Sequence, residues 1–157
     1  MDTTKLKYMN EFAASVRLFT FPPDGLTEQQ IEELEVKYNF GNHFPLALRE
    51  YLLLAGGGSP IIETNASNLD ELQQRLRGYL VEYNQQINRP FLAFENWNGC
   101  EYFLFIYGDD TAEDPLIWMA YLEPNDSEPN FLSTSGTTLT EFVNEKISWV
   151  KRGLSPF

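Results

Sequence analysis

The sequence predicts an α+β fold in a single domain, with N-terminal helices, a central largely antiparallel sheet carrying an Asn-Gly hairpin, and a C-terminal helix packed on that sheet. Three observations lead there. Apolar residues recur at helical spacing as far as Tyr83. After Pro90 the period becomes extended, in three runs rich in aromatic and branched residues, the first two joined through Asn98-Gly99. A helical pattern then returns behind Thr138. The chain has 157 residues, 43% of them hydrophobic and 15% aromatic. A domain of that size buries about 68–70% of the surface its unfolded chain exposes, so it needs no disulfide or metal staple.

The elements follow in order. Leu6, Met9, Ala13 and Val16 predict a helix from about Thr4 to Leu18, stopped by Pro22, Pro23 and Gly25. Thr27 followed by Gln30 is a capping box, and Ile31, Leu34 and Tyr38 stripe the helix it opens, which Gly41 ends. Pro45 suits the first turn of the next helix, since the N–H it lacks would be unpaired there. Leu48, Tyr51 and Leu52 line the inner face of that helix, and Gly56, Gly57 and Gly58 terminate it. Ser67 with Asp70 can cap a longer helix carrying Leu69, Leu72, Leu76, Leu80 and Tyr83. Phe91 to Trp97, Glu101 to Tyr107 and Leu116 to Leu122 read as strands. The second is nearly apolar throughout, which places it in the middle of the sheet with both faces covered. Asn98-Gly99 supplies the two positive-φ residues of a tight hairpin. Thr138 with Glu141 forms a second capping box, and Leu139, Phe142, Val143, Ile147 and Val150 make the last helix, ending at Gly153.

Charge is distributed unevenly. The chain holds 23 acidic and 11 basic residues, a net charge of −12. From Pro90 to Glu145 there are eleven acids and neither Lys nor Arg, so nearly all of the net charge falls in about a third of the chain. Asp109, Asp110, Glu113 and Asp114 share one turn-like stretch, and Glu123, Asp126 and Glu128 another, both reading as exposed loops. A binder of nucleic acid or of an anionic membrane carries the opposite sign, so neither partner is expected. Met1 to Phe21 lacks the apolar run and cleavage site of a secretory signal, and a cytoplasmic location is the expectation.

Motifs for chemistry are sparse. His43 is the one histidine, in a loop between helices, and reads as a surface or capping residue. Cys100 is the one cysteine and reads as an inert thiol, with no cationic neighbour to lower its pKa. One His and one Cys cannot build a zinc cluster. Gly56-Gly57-Gly58-Ser59 follows a helix rather than a strand and lacks the lysine of a phosphate loop, so it reads as a helix stop. Residues 109–114 lack the ligand alternation and central glycine of a calcium loop. The expectation is therefore no catalytic residue, no metal and no cofactor.

Leu26-Thr27-Glu28 through Ile31-Glu32, Phe44-Pro45-Leu46-Ala47-Leu48-Arg49-Glu50-Tyr51-Leu52-Leu53, and Ala55-Gly56-Gly57-Gly58 resemble the opening of SMI1/KNR4 domains, the SUKH superfamily. Phe94-Glu95-Asn96-Trp97-Asn98-Gly99-Cys100-Glu101-Tyr102-Phe103 is similar to that family's strand-turn-strand unit, and Phe142-Val143-Asn144-Glu145-Lys146-Ile147 to its last helix. The family more often has Leu-Pro where this chain has Phe44-Pro45, and Asn where it has Ala55; either alternative packs or ends a helix equally well. The resemblance spans about residues 26–152. It divides the chain into an N-terminal helical extension (1–25), the SUKH-like domain (26–153) and a short tail (154–157). It implies a non-enzymatic binding scaffold, in many bacterial members an immunity protein against toxins that are often nucleases, in eukaryotic members an intracellular regulator.

The charge map joins that implication. A nuclease presents Lys or Arg in its cleft, so an inhibitor gains on-rate and partner choice by offering carboxylates. The expected function is that of an immunity protein binding a basic toxin domain through Asp109, Asp110, Glu113, Asp114, Glu123, Asp126 and Glu128. Trp97 serves as an aromatic anchor, because exposed ion pairs alone contribute only about 0–1 kcal/mol each. Trp118 is expected in the core. The alternatives are a regulatory or scaffold interaction domain of the same fold and a small carboxylate-based enzyme, which predicts a buried acid pair in a pocket. No feature assigns an oligomeric state.

Overall fold

The computed structural model describes residues 5–96 and 102–157. Its elements are α1 (Asn10–Ser15) with a 3₁₀ turn at Val16–Leu18, α2 (Glu28–Tyr38), α3 (Leu46–Ala55), α4 (Leu69–Glu82), β1 (Phe91–Asn96), β2 (Tyr102–Tyr107), β3 (Trp118–Tyr121), β4 (Leu132–Ser133) and α5 (Leu139–Lys151). This is the α+β order expected. The tight turn expected at Asn98-Gly99, with Cys100, lies outside the described residues.

The first helix is far shorter than its apolar spacing suggests, and Glu50 of α3 is the reason. Its buried carboxylate accepts from the backbone N–H groups of Lys7, Tyr8 and Met9 at 2.7, 2.8 and 2.9 Å. These three residues therefore spend their donors on a distant side chain, and α1 starts only at Asn10. Six residues are too few for a helix to hold itself together in water. Met9 and Phe12 anchor it by burial, each contributing roughly 1.5–3 kcal/mol.

Both capping boxes form as read. Thr27 accepts from the Gln30 N–H and Thr138 from that of Glu141, and each amide or carboxylate reaches back to its cap N–H. In α4 the cap is Asn68 rather than Ser67; Asn68 accepts from the Glu71 N–H at 2.8 Å, and Glu71 returns to the N–H of Ser67. Gly56 caps α3 as expected, and Gly57 also leaves room for the crossing chain, since a Cβ there would lie 2.9 Å from the Asp24 carboxylate. Residues 24–25 cross the end of α3, with Asp24 and Gly58 paired and the Gly57 N–H bonded to the Asp24 carbonyl at 2.8 Å. A Cβ on Gly25 would lie 1.9 Å from the Leu53 carbonyl oxygen.

The sheet is antiparallel throughout, in the order β1-β2-β3-β4. β2 occupies an interior position as expected, although Tyr102 and Leu104 keep some exposure. Phe91, Phe103, Phe105, Tyr107 and Trp118 form a continuous ring series across it, with neighbouring centroids 5.2–6.3 Å apart. A bulge between Ala93 and Glu95 adds Phe94 to β1, and its ring meets Phe142 of α5 edge-on. The free edge of β1 is closed by side chains of α4. Gln73 donates to the Ala93 carbonyl at 2.6 Å and accepts from its N–H at 2.8 Å, and Arg77 donates to the Phe91 carbonyl at 2.9 Å. An unpaired edge invites strand addition, and these bonds remove that template. The opposite edge is β4, two residues long, which had no signal in the sequence.

α5 meets β1 through Phe142 and through a buried ion pair, Lys146 Nζ to Glu95 Oε1 at 3.4 Å. The same ammonium donates to the Pro156 carbonyl at 2.7 Å, tying the end of the chain down. No helix among the described residues is long and apolar enough to cross a membrane.

Candidate functional site

The two acidic segments leave opposite ends of β3. Residues 109–114 precede the strand and 123–128 follow it. Four residues of strand separate them by about 13 Å. That exceeds the Debye length, about 8 Å at physiological ionic strength, so the field of one segment is largely screened at the other.

Residues 109–114 are stitched into the fold. Asp109 holds Arg89 through a forked contact, Oδ1 receiving NH2 at 2.7 Å and Nε at 3.0 Å, while the guanidinium lies 3.9 Å from the Tyr107 ring centre. Asp110 accepts from the Ala112 N–H at 3.0 Å, which makes the turn. The Glu113 carboxylate takes the Lys7 ammonium and the Tyr8 hydroxyl, the latter at 2.8 Å, and these two donors hold its carboxyl below the usual glutamate range. Its carbonyl accepts from the Ala47 N–H at 2.8 Å, in the first turn of α3. Asp114 accepts from the Thr140 N–H at 3.1 Å, in the first turn of α5. One loop thus satisfies N–H groups at the start of two helices, where they otherwise lack partners.

Residues 123–128 are arranged differently. The Asn125 side chain accepts from the N–H groups of Ser127 and Glu128 at 2.9 and 3.1 Å, and its own N–H donates to the Glu128 carbonyl. This turn is shaped by an amide, and the carboxylates of Glu123, Asp126 and Glu128 have no partner among the described residues. Glu123 and Asp126 are exposed and Glu128 is half-buried.

Trp97 lies outside the described residues. Trp118 is half-buried, its ring 5.4 Å from Tyr107, so it packs against the core rather than lying within it as expected. His43 sits on the surface, with Nδ1 3.0 Å from the buried Glu35 carboxylate. Burial pushes Glu35 upward, but the Phe44 N–H, His43 and Arg49 outweigh it and hold the carboxyl below its ordinary value. Arg49 also reaches Glu28, at 2.6 Å, so this cluster fastens α2 to α3.

A concavity of about 380 Å³ lies between the end of α3, the start of α4 and the tail, with Tyr51, Ser59, Phe94 and Phe157 among its walls. Tyr51 is its one buried titratable group, and burial pushes the phenol well above its ordinary value. Among the described residues no group of three or more His, Cys, Asp or Glu side chains converges to hold a metal.

Three residues matter more than the sequence reading allowed: Glu50, Gln73 and Arg77. A signal existed for two. Glu50 falls one turn from Ala47 on the inner stripe of α3, and Gln73 one turn from Leu69 on that of α4, where a polar residue must find a buried partner.

A family model described as SMI1 / KNR4 family (SUKH-1) matches residues 25–145, more than three-quarters of the chain. It covers α2 through most of α5, the stretch whose motifs carried the resemblance. No curated protein and no solved structure matches the chain.

Proposed function

The chain belongs to the SMI1 / KNR4 family (SUKH-1), and on that premise we propose that it is a non-catalytic protein-binding domain of the immunity type, neutralising a basic toxin domain by stoichiometric binding. The observation that carries this reading is that the carboxylates of Glu123, Asp126 and Glu128 have no partner among the described residues, on a turn whose geometry does not depend on them. A carboxylate with no internal partner forms an ion pair with an incoming Lys or Arg without first breaking another. Asp109, Asp110, Glu113 and Asp114 contribute field at the other end of β3, and their contacts to a partner are secondary to the helix starts and cations they already hold. The proposed setting is the cytoplasm, where an immunity protein meets its toxin.

The test is binding of the purified protein to the product of the neighbouring gene at about 50 and 500 mM salt, where the Debye length falls about threefold. The proposal expects one-to-one capture of a basic protein, with an association rate that drops steeply with salt and drops again in the E123K/D126K/E128K variant. Capture that ignores both salt and charge reversal overturns the acidic contact, and a partner with no toxic activity replaces the immunity reading with a regulatory one.

A further inference from the structure

A cationic notch lies at the end of the sheet opposite the 122–131 loop, where β1 begins. It is a cavity of about 260 Å³ whose walls include Lys37, Arg77 and Arg89 among the apolar side chains Phe40, Ile87 and Phe91, and among the described residues no carboxylate lines it. In a chain of net charge −12 this is unusual.

Arg77 is its centre. The guanidinium lies between the rings of Tyr38 and Phe91, 4.5 and 4.1 Å from their centroids. It donates to Gln73 Oε1 at 3.1 Å and to the Phe91 carbonyl at 2.9 Å. Lys37 has Asp70 and Arg89 has Asp109, but no carboxylate pairs with Arg77 among the described residues. Burial pulls its pKa below the ordinary arginine value, a sign that desolvation is not offset by an anion. A guanidinium has five N–H donors, two of them used here, and no Arg77 nitrogen is buried without a partner. Nε makes neither of those two bonds and is not buried, so that donor is accessible.

Phe40 stands at the rim, 84% exposed, with φ at +54°. An L-residue in that conformation costs roughly 1–2 kcal/mol, and asparagine or glycine would relieve both the strain and the exposure. A bulky aromatic kept there beside an unpaired guanidinium has the make-up of an interface anchor.

We propose that this notch is a second contact site, opposite in sign to the acidic loops, which takes one carboxylate-bearing side chain of a protein partner with Phe40 as the apolar anchor beside it. The planar fork of Arg77 matches a carboxylate, and the two flanking rings hold it in place, so little side-chain freedom is lost on binding. The volume is below the 300 Å³ or so at which small-molecule sites begin, and suits a single side chain. The inference stands independently of the toxin reading.

The experiment is NMR titration of the full ¹⁵N-labelled chain, observing the Arg77 Nε–H and the Phe40 and Ile87 amides. The probes are acetyl-Glu-Leu-amide, its neutral counterpart acetyl-Gln-Leu-amide, and inorganic phosphate, at matched ionic strength. The expected result is a saturable shift with the Glu dipeptide and binding about tenfold or more weaker with the Gln dipeptide. Arg77→Lys weakens the Glu dipeptide by about the same factor, since a lysine keeps the charge but not the fork. Phe40→Ala, at an exposed position with no core contact, weakens it several-fold and leaves the rest of the spectrum in place. Equal binding of the two dipeptides, shifts confined to other regions, or no loss in Phe40→Ala overturns the proposal. Phosphate saturating the same signals at lower concentration than the dipeptide also overturns it, in favour of a free oxyanion site.

Discussion

Residues 109–114 and 123–128 are alike as sequence: short, acidic, free of lysine and arginine, and flanking the same strand. The fold treats their carboxylates in opposite ways. In the first, Asp109 is held by Arg89, Glu113 by Lys7 and Tyr8, and Asp114 by the first turn of α5. In the second, Asn125 shapes the turn and the acids stand clear of it. The lesson is that negative charge counted along a chain overstates the charge a partner can use. Where carboxylates already neutralise cations and cap helices, a partner must displace existing contacts.

Four experiments break or sharpen this contrast. The largest effect belongs to Glu50, the fully internal extreme, which marks what it means for an acid to be used by the fold. Glu50→Ala leaves three N–H groups without an acceptor, and at about 1 kcal/mol or more for each the loss is at least about 3 kcal/mol. A thermal scan should show a fall of about 6–12 °C, at about 2–4 °C per kcal/mol for a chain of this size. A smaller fall means that water reaches those donors.

Next comes the triple reversal E123K/D126K/E128K. It should slow association with a basic partner by about tenfold or more at low salt, while the melting temperature stays within about 2 °C of wild type. A melting temperature several degrees lower would show these acids to be as internal as those of the first loop, and the contrast would collapse.

Asp114→Ala should lower stability by about 1 kcal/mol, or about 2–4 °C, as the loss of a helix-capping acceptor does, and should leave association almost untouched. A change in association larger than the change in stability would move Asp114 into the contact surface.

The smallest effect is a titration. With the Lys7 ammonium and Tyr8 hydroxyl bonded to it, the Glu113 carboxyl should titrate below the ordinary glutamate range, and Lys7→Ala should return it toward that range. The folded-state pKa is depressed, so the link contributes to stability above the ordinary glutamate pKa and fades as the pH falls through the lower folded value. Carboxyl ¹³C shifts followed against pH read this directly.

Much of the fold was legible. Thr27 with Gln30 and Thr138 with Glu141 placed two helix starts correctly, because a capping box is a contact between residues three apart. The α4 cap was misplaced by one residue, since Ser67 and Asn68 both qualify locally and the burial of Leu69 and Leu72 selects between them. Strands β1 to β3 followed from their aromatic and branched composition, whereas Leu132–Ser133 became a strand only by pairing with Met119 and Ala120. The candidate site was less legible. All seven acids were visible, but nothing near Asp114 in sequence reveals that Thr140 bonds to it.

What the amino-acid order determined by itself is the sequence of elements, the helix starts, the strand composition and the segregation of charge after Pro90. Each depends on interactions within a few residues, or on composition alone. Only the tertiary structure decided which carboxylates are spent and which are free, how α4 closes the edge of β1, and why Arg77 faces a cavity without an acid. Those outcomes rest on partners 14 to 106 residues apart, from Arg77 with Phe91 to Lys7 with Glu113. A side chain's charge is local information, but whether water, the fold or a partner neutralises it is set by what the chain brings beside it.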